Sequence, residues 1–363
     1  MEGTPTVTPS VQALVLVGGK GTRLRPLTLS APKPMLPTAG APFLTHLLSR
    51  IRDAGITDVV LGTSYQAHVF ADHYGDGSSL GLNLTYITEE QPLGTGGGIR
   101  NVYDALTADT VLVFNGDVLG GTDIRDVVAT HRESGAEVTL HLVRVKDPRA
   151  FGCVPTDASG RVTAFLEKTQ DPPTNQINAG TYVFNRDVIG EIPAGRPVSV
   201  EREVFPSLLA QGRHIHAHVD DAYWRDMGTP EDFVRGSADL VRGIAPSPAL
   251  QDACGESLVL DGTNVGAGAV LIGGTVVGRG ATVGAGARLD GAVIFDGATV
   301  EAGAVVERSI VGFGARIGEG ALVRDTVIGD RASIGARCEL LRGARVWPEI
   351  QIPDNGIRFS TDV

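Results

Sequence analysis

Cysteine is nearly absent from this sequence: three residues in 363, Cys153, Cys254 and Cys338, with no C-x-x-C pair among them. So sparse and odd a set builds no disulfide framework, and reduced thiols, buried or partly buried, are the expectation. Long apolar runs are missing too. No stretch of about 18 apolar residues is there to span a membrane. The first ten residues carry neither a basic residue nor an apolar core, so no secretory leader is expected and the cytoplasm is the expected compartment. Clustered cations are also lacking. A formal net charge of -11 without a Lys/Arg footprint argues against nucleic acid and membrane as partners. An anionic substrate would have to be held by local cations and a metal, because no general positive field attracts it. Aromatic residues make up only 5%, whereas glycine reaches 48 residues. At this length one ordinary core does not suffice, and two domains are expected.

What is present is densest near the start. Leu14-Val15-Leu16-Val17 runs into Gly18-Gly19-Lys20-Gly21-Thr22-Arg23-Leu24-Arg25-Pro26-Leu27-Thr28, and Ala31-Pro32-Lys33-Pro34 follows. An apolar run that ends in three glycines within four residues reads as a buried strand emptying into a loop of bare amides. Such amides close around phosphate oxygens, and Arg23 and Lys33 can neutralise them. A tight turn with surface charges would use some of the same residues; the paired Arg and Lys favour phosphate. Two better-known loops are excluded. No Gly-Lys is followed by Ser or Thr, so this is no P-loop. Counting from Gly19 and Gly21, the third glycine of a dinucleotide fingerprint is Leu24.

Further on, Pro42–Ala54 has helical apolar spacing closed by Gly55, and Asp58–Leu61, Leu82–Ile87 and Thr110–Phe114 read as strands. Helical segments around Ala67–His73 and Gly98–Leu106 lie between them. This alternation predicts a mostly parallel sheet covered by helices, with ligands at the carboxyl ends of its strands. Two more motifs fall at such ends. Glu89-Glu90-Gln91-Pro92-Leu93-Gly94-Thr95-Gly96-Gly97-Gly98 has backbone open enough to approach a flat ring, and Gln91 offers a donor and an acceptor to a base edge. Asn115-Gly116-Asp117 puts a carboxylate where a hard cation such as Mg²⁺ is held, although a turn-forming Asp looks the same. Glu167-Lys168, after Val162–Leu166, and Asn178, before the strand Gly180–Phe184, suit a polyhydroxyl ligand with one phosphate. His214, His216 and His218 alternate, which on a strand puts them on one face, more in keeping with a wetted face than a metal site. Asp226 offers a second metal carboxylate. Thr229 and Pro230 read as the N-cap and first residue of a helix, and Trp224 as core packing.

Together these segments resemble the sugar-1-phosphate nucleotidyltransferases, and among them the mannose-1-phosphate guanylyltransferases of actinobacterial type. The carrying motifs are Gly18–Thr28 with Pro32-Lys33-Pro34, Pro92-Leu93-Gly94-Thr95, Asn115-Gly116-Asp117, Phe165-Leu166-Glu167-Lys168, Asn178-Ala179-Gly180 and Trp224–Pro230, in the family's order over residues 12–243. One departure is Thr169, where the family's Glu-Lys is followed by Pro. The resemblance implies an α/β, Rossmann-like nucleotidyltransferase domain in which a sugar-1-phosphate attacks the α-phosphorus of an NTP, GTP and mannose-1-phosphate being the implied pair. It implies Arg23, Lys33, Asp117 and Asp226 as catalytic residues, with Mg²⁺ on Asp117 and Asp226. Gly18, Gly19, Gly21 and Thr22 would hold the triphosphate, Gln91 and Gly94 would face the base, Lys168 would take the sugar phosphate, and Glu167, Asn178 and Gly180 the hydroxyls. The base and sugar stay open at this point: thymidylyl, uridylyl or adenylyl transfer to glucose-1-phosphate uses the same residues. A silent regulatory paralogue is disfavoured by the simultaneous presence of Arg23, Lys33, Asp117, Lys168 and Asp226.

The glycine excess lies in the last third. Aliphatic residues recur there at intervals of 17 in three series: Ile272, Leu289, Val306, Val323 and Leu340; Val277, Ile294, Val311 and Ile328; Val283, Val300, Ile317 and Ile334. A coil of five, six and six residues puts one inward aliphatic at each of three corners and stacks coil on coil. This resembles the left-handed parallel β-helix of hexapeptide-repeat proteins. Acyltransferases of that kind use a histidine, and none follows His218, so the helix is expected to be structural and to join copies into a homo-oligomer. Val346-Trp347-Pro348 is expected to cap it. The expected plan is a flexible tail at 1–10, a nucleotidyltransferase domain at 11–243, a linker at 244–264 and a β-helix at 265–363.

Overall fold

The computed structural model describes residues 10–166, 170–250 and 255–358. The tail expected before Val11 and the residues Glu167, Lys168, Thr169 and Cys254 lie outside the described residues, apart from Ser10. Two compact units emerge. One combines the residues up to Gly19 with Leu48–Trp224, and the other combines Lys20–Leu47 with Arg225 onward.

The first unit is built on one sheet of seven strands. In chain order they are β1 (Val11–Leu16), β2 (Asp58–Thr63), β3 (Asn83–Thr88), β4 (Thr110–Asn115), β5 (Val138–Arg144), β6 (Gln176–Asn185) and β7 (Ile215–Asp220). The order across the sheet is β7-β5-β6-β4-β1-β2-β3. Only β6 runs against its neighbours, pairing antiparallel with β4 and β5; the remaining pairs are parallel. The central strands are apolar without alternation because both faces are covered: Ala13, Leu14 and Val15 of β1 and Val111, Leu112 and Val113 of β4 are wholly buried. Helix α1 (Phe43–Asp53) buries Leu44, Leu47, Leu48 and Ile51, as its spacing predicts, and Gly55 follows with φ 84°. Helix α2 spans Ala67–Tyr74.

The helix expected at Gly98–Leu106 is displaced. Helix α3 occupies Gly94–Asn101, and Tyr103–Ala105 is a separate 3₁₀ turn, so half of the second glycine-rich segment is helical. Val162–Leu166 makes only isolated bridges, Thr156 with Val162 and Cys153 with Leu166. Helix α4 (Ile124–Ser134) lies against β5 and β7. On β7, Ile215 and Ala217 point inward, while His216 and His218 are half-buried. His218 Nδ1 lies 2.8 Å from Thr130 Oγ1, and no cluster of three or more metal-ligating side chains occurs among the described residues. Trp224 packs as expected: its Nε1 donates to the Ala179 carbonyl at 3.0 Å and its ring meets Phe151 edge-on.

The second unit contains the segment Lys20–Leu47, a long helix and the repeats. Among the described residues six α-helices precede the long one, the last two being the short α5 (Arg186–Glu191) and α6 (Phe205–Ala210). The long helix, α7 (Pro230–Val241), has Pro230 in its first turn and the Thr229 hydroxyl accepting from Asp232 N at 3.1 Å, the cap its sequence predicts. The repeats form three stacked parallel sheets of six, six and five short strands, a β-helix. The inward columns expected from the 17-residue period are there: Val277, Ile294, Val311 and Ile328 are buried, and so are Val283, Val300, Ile317 and Ile334. A second column alternates with them, Ala287, Ala304, Ala321 and Cys338, all fully buried.

Three details differ from the expectation. The first strand of the ladder is Ser257–Val259, ahead of residue 265. The first coil and the last are each one residue longer than those between them, so Leu289 stacks on Leu271 and Ile272 pairs with Asp290. The two aliphatics are adjacent, and periodicity alone does not choose between them. Val346 is a further rung, paired with Ile328 and nearly buried, while Trp347 and Ile350 remain half-exposed at that end.

Candidate active site

In the first unit, the parallel strands end in register. Leu16 pairs with Gly62 and with Asn115, and Gly62 pairs with Ile87. Their loops therefore leave from one edge, which in an open α/β sheet is where a ligand binds. Gly18 is the first residue of the glycine loop there. Its carbonyl accepts from the Ser64 hydroxyl, and a Cβ at this position would stand 2.8 Å from Ser64 Oγ and 3.0 Å from Glu89 Oε1. Gly19 is exposed, with open space where a Cβ would be. Asp117 follows Gly116, whose N–H donates to the Leu16 carbonyl at 2.9 Å. That contact holds the Asp117 turn against the start of the glycine loop.

Asn178 and Gly180 reach the same edge on the reversed strand β6. Gly180 has φ 77°, its N–H donates to Asn178 Oδ1 at 3.0 Å, and a Cβ on it would stand 2.9 Å from Asn115 Nδ2. Asn178 Nδ2 donates to the Tyr182 hydroxyl at 2.8 Å. Burial, with the charge of Glu201, pushes the Tyr182 phenol far up, against the hydrogen bonds from Asn178 and Asn115; it stays neutral. Asn115 Oδ1 is buried without a hydrogen-bond partner among the described residues, so an acceptor is left for a ligand. Asn115 and Tyr182 received no role from the sequence. The signal was there in Tyr182: residues 178, 180 and 182 share one face of a strand.

Gln91 is exposed in the turn after β3, and Gly94, with φ 68°, opens α3. Glu89 is the carboxylate of that turn. Burial raises its pKa, opposed by hydrogen bonds from Leu93 N, at 3.3 Å, and from Ser64. Gly94, Gly96 and Gly97 lie against a second segment: Cβ atoms on them would come within 2.7 Å of Val198 O, 2.9 Å of Val198 Cγ1 and 2.8 Å of Arg196 O. Glycine here serves close packing of protein on protein, which the reading of an open loop did not anticipate.

The second unit gathers the other expected residues. Gly21 has φ 57° and a carbonyl that accepts from the Thr28 hydroxyl at 2.9 Å. Thr22 and Arg23 follow in an exposed 3₁₀ turn. Lys33 is buried, and its Nζ lies 3.9 Å from Asp226 Oδ1. Arg23 lies over Gly228, where a Cβ would stand 2.8 Å from Nη2. Thus Arg23, Lys33 and Asp226 converge, and Gly228 joins them as the residue that makes room for the guanidinium. Glu167 and Lys168, expected at the sugar, lie outside the described residues.

A mostly parallel sheet whose strand ends carry a glycine loop and a carboxylate is the frame of a nucleotidyltransferase. A family model described as nucleotidyl transferase matches residues 12–243, and a second, the GMPPB C-terminal domain, matches residues 253–359. The chain belongs to the nucleotidyl transferase family. It is 71% identical, over 98% of its length and 99% of the other's, to the mannose-1-phosphate guanylyltransferase of Mycobacterium tuberculosis. It is 38% identical to the mannose-1-phosphate guanylyltransferase catalytic subunit beta of Drosophila melanogaster, over 65% of this chain and 64% of that one. Among solved structures, HddC from Yersinia pseudotuberculosis complexed with GMP-PN is similar at a TM-score of 0.56 and 29% identity, covering 63% of this chain and 99% of that one.

Proposed function

We propose that the protein transfers GMP from GTP to mannose-1-phosphate, giving GDP-mannose and pyrophosphate. The observation that carries this reading is the 71% identity, across nearly the whole chain, to a protein named for that reaction. A phosphate oxygen of the sugar-1-phosphate attacks the α-phosphorus of GTP. As that P–O bond forms, the bond from the α-phosphorus to its bridging oxygen breaks, and pyrophosphate leaves with the electron pair. No protein nucleophile takes part, so the chain contributes positioning and charge stabilisation.

The amides of Gly18, Gly19, Gly21 and Thr22 hold the triphosphate, Arg23 stabilises the departing pyrophosphate, and Lys33 neutralises the phosphates. Lys168 holds the sugar phosphate, Glu167, Asn178 and Gly180 meet hydroxyls, and Gln91 and Gly94 face the base. Enzymes of this family generally use a divalent metal, which we take to be Mg²⁺. Mg²⁺ needs only one or two carboxylates when substrate phosphates supply other oxygens. Asp117 and Asp226 are the carboxylates of the two motifs; when bound, the metal draws charge from the reacting phosphates.

The test is pyrophosphate release from each of four NTPs with several sugar-1-phosphates and Mg²⁺. GTP with mannose-1-phosphate is expected among the best pairs. A clear preference for another pair would overturn the substrates and leave the reaction class.

A further inference from the structure

Helix α3 opens with four glycines in five residues, Gly94, Gly96, Gly97 and Gly98. Each costs about 1 kcal/mol of helix stability relative to alanine, so the start of α3 does not hold its own shape. It is held from outside. Val198 N donates to Leu93 O at 2.8 Å, and the Val198 carbonyl accepts from both Gly96 N at 2.8 Å and Gly97 N at 3.2 Å. The side chains complete the clamp. Thr95 Oγ1 donates to Glu201 Oε2 at 2.9 Å and accepts from Val200 N at 3.0 Å, and Ser199 Oγ donates to the same Glu201 oxygen at 2.7 Å. Glu201 itself sits in a π-turn, Val200–Val204, a rare geometry that recurs at functional sites. The clamp also consumes two of the amides at the start of α3, which are therefore not offered to phosphate.

We propose that Glu201 is a positioning residue for the nucleotide: through Thr95 it holds the Leu93–Gly97 turn in the shape that meets the base. The inference rests on the reading that Gln91 and Gly94 face the base. A carboxylate suits the task because one oxygen takes two hydroxyl protons at once, which orients both Thr95 and Ser199. Loss of the carboxylate leaves both hydroxyls to turn away and frees the glycines.

Full-length Glu201→Ala and Thr95→Val are compared with Glu201→Gln and Thr95→Ser, which keep an acceptor and a hydroxyl. The first pair is expected to raise KM for GTP about tenfold, with kcat and KM for mannose-1-phosphate within about threefold of wild type. The conservative pair stays near wild type. Amide hydrogen exchange over residues 94–98 is faster in the first pair only, and inhibition by inorganic tripolyphosphate, which has no base, is unchanged. An unaltered KM for GTP and unaltered exchange in folded Glu201→Ala and Thr95→Val would overturn the proposal. So would tripolyphosphate inhibition weakening in step with KM, since the turn would then act on phosphates. If Glu201→Ala does not fold, Thr95→Val decides alone. Failure of wild-type enzyme to use GTP and mannose-1-phosphate would instead overturn the substrate reading, and the exchange measurement still decides whether the clamp exists.

Discussion

Arg23 and Gly228 work as one part. The guanidinium occupies the space a side chain at 228 would need, so the glycine is as much a part of the proposed site as the cation. Arg23→Ala and Asp117→Ala are expected to lower kcat by about 10²–10³ with the fold intact, the usual cost of removing one preorganised charge. Gly228→Ala tests the pairing. Its backbone is not left-handed, and the clash is with the far end of a flexible chain, so Arg23 swings away and the protein keeps its Tm. Turnover is expected to fall about tenfold or more; steady-state pyrophosphate release beside a thermal melt checks both. Away from the chemistry, Asp220 accepts from buried His141 at 2.9 Å. Burial works to raise its pKa, but the hydrogen bond from His141, with the His218 ring 3.7 Å away, outweighs that and holds the carboxyl well below its ordinary range. A depressed folded pKa contributes stability above the unfolded value, near 4, and loses it as pH falls further. Unfolding free energy is therefore expected to drop more steeply below about pH 4 in wild type than in Asp220→Asn. Among single residues, those in contiguous motifs were legible: Arg23, Lys33 and Asp226, whose convergence the second unit shows. Gly228, Asn115 and Glu201 were not, because their partners are distant in the chain.

Elements were legible where one physical period dominates. Thr229, Pro230 and Asp232 specify the start of α7 through caps that need only neighbouring residues. The inward columns of the β-helix followed from their spacing, and the pairings Val300 with Ile317 and Ile317 with Ile334 confirm it. Ile317 has no exposed surface, and its neighbours above and below are fixed by the ladder. Ile317→Ala is expected to cost about 3 kcal/mol, read from urea unfolding. Cys338 stands in the alanine column, so Cys338→Ala is expected to cost less than about 1.5 kcal/mol. Periodicity failed in two places. Leu271 and Ile272 are both aliphatic, and only strand pairing showed which one stacks. The start of α3 looked like a loop because glycine has poor helix propensity, and a segment 100 residues onward overrides it.

At the scale of the whole molecule, the segment Lys20–Leu47 belongs with the β-helix. Gly40 lies against Leu258 and Leu260, with a Cβ there only 3.0 Å from Leu260 Cδ2, and Arg345 Nη1 donates to the Arg25 carbonyl at 2.8 Å. The sequence led to a structural and oligomerising helix, with a regulatory role left open, whose loss would disturb assembly or solubility more than chemistry. The contacts argue otherwise: the helix supports the backbone two residues from Arg23. A chain ending at residue 250 is expected to lose at least about tenfold in kcat even when soluble, and Arg345→Ala a smaller part of it. Full turnover by the truncated chain would return the helix to a purely structural role. By itself the sequence determined the glycine loop, the alternation of strand and helix, the caps and the coil period, because each is written in residues that are covalent neighbours or regular repeats. Only the tertiary structure decided that Gly228 seats Arg23, that Glu201 secures Thr95 across 106 positions and that Arg345 reaches Arg25 across 320. Those pairs depend on how packed elements bring remote backbone within hydrogen-bonding distance, and no local pattern encodes that distance.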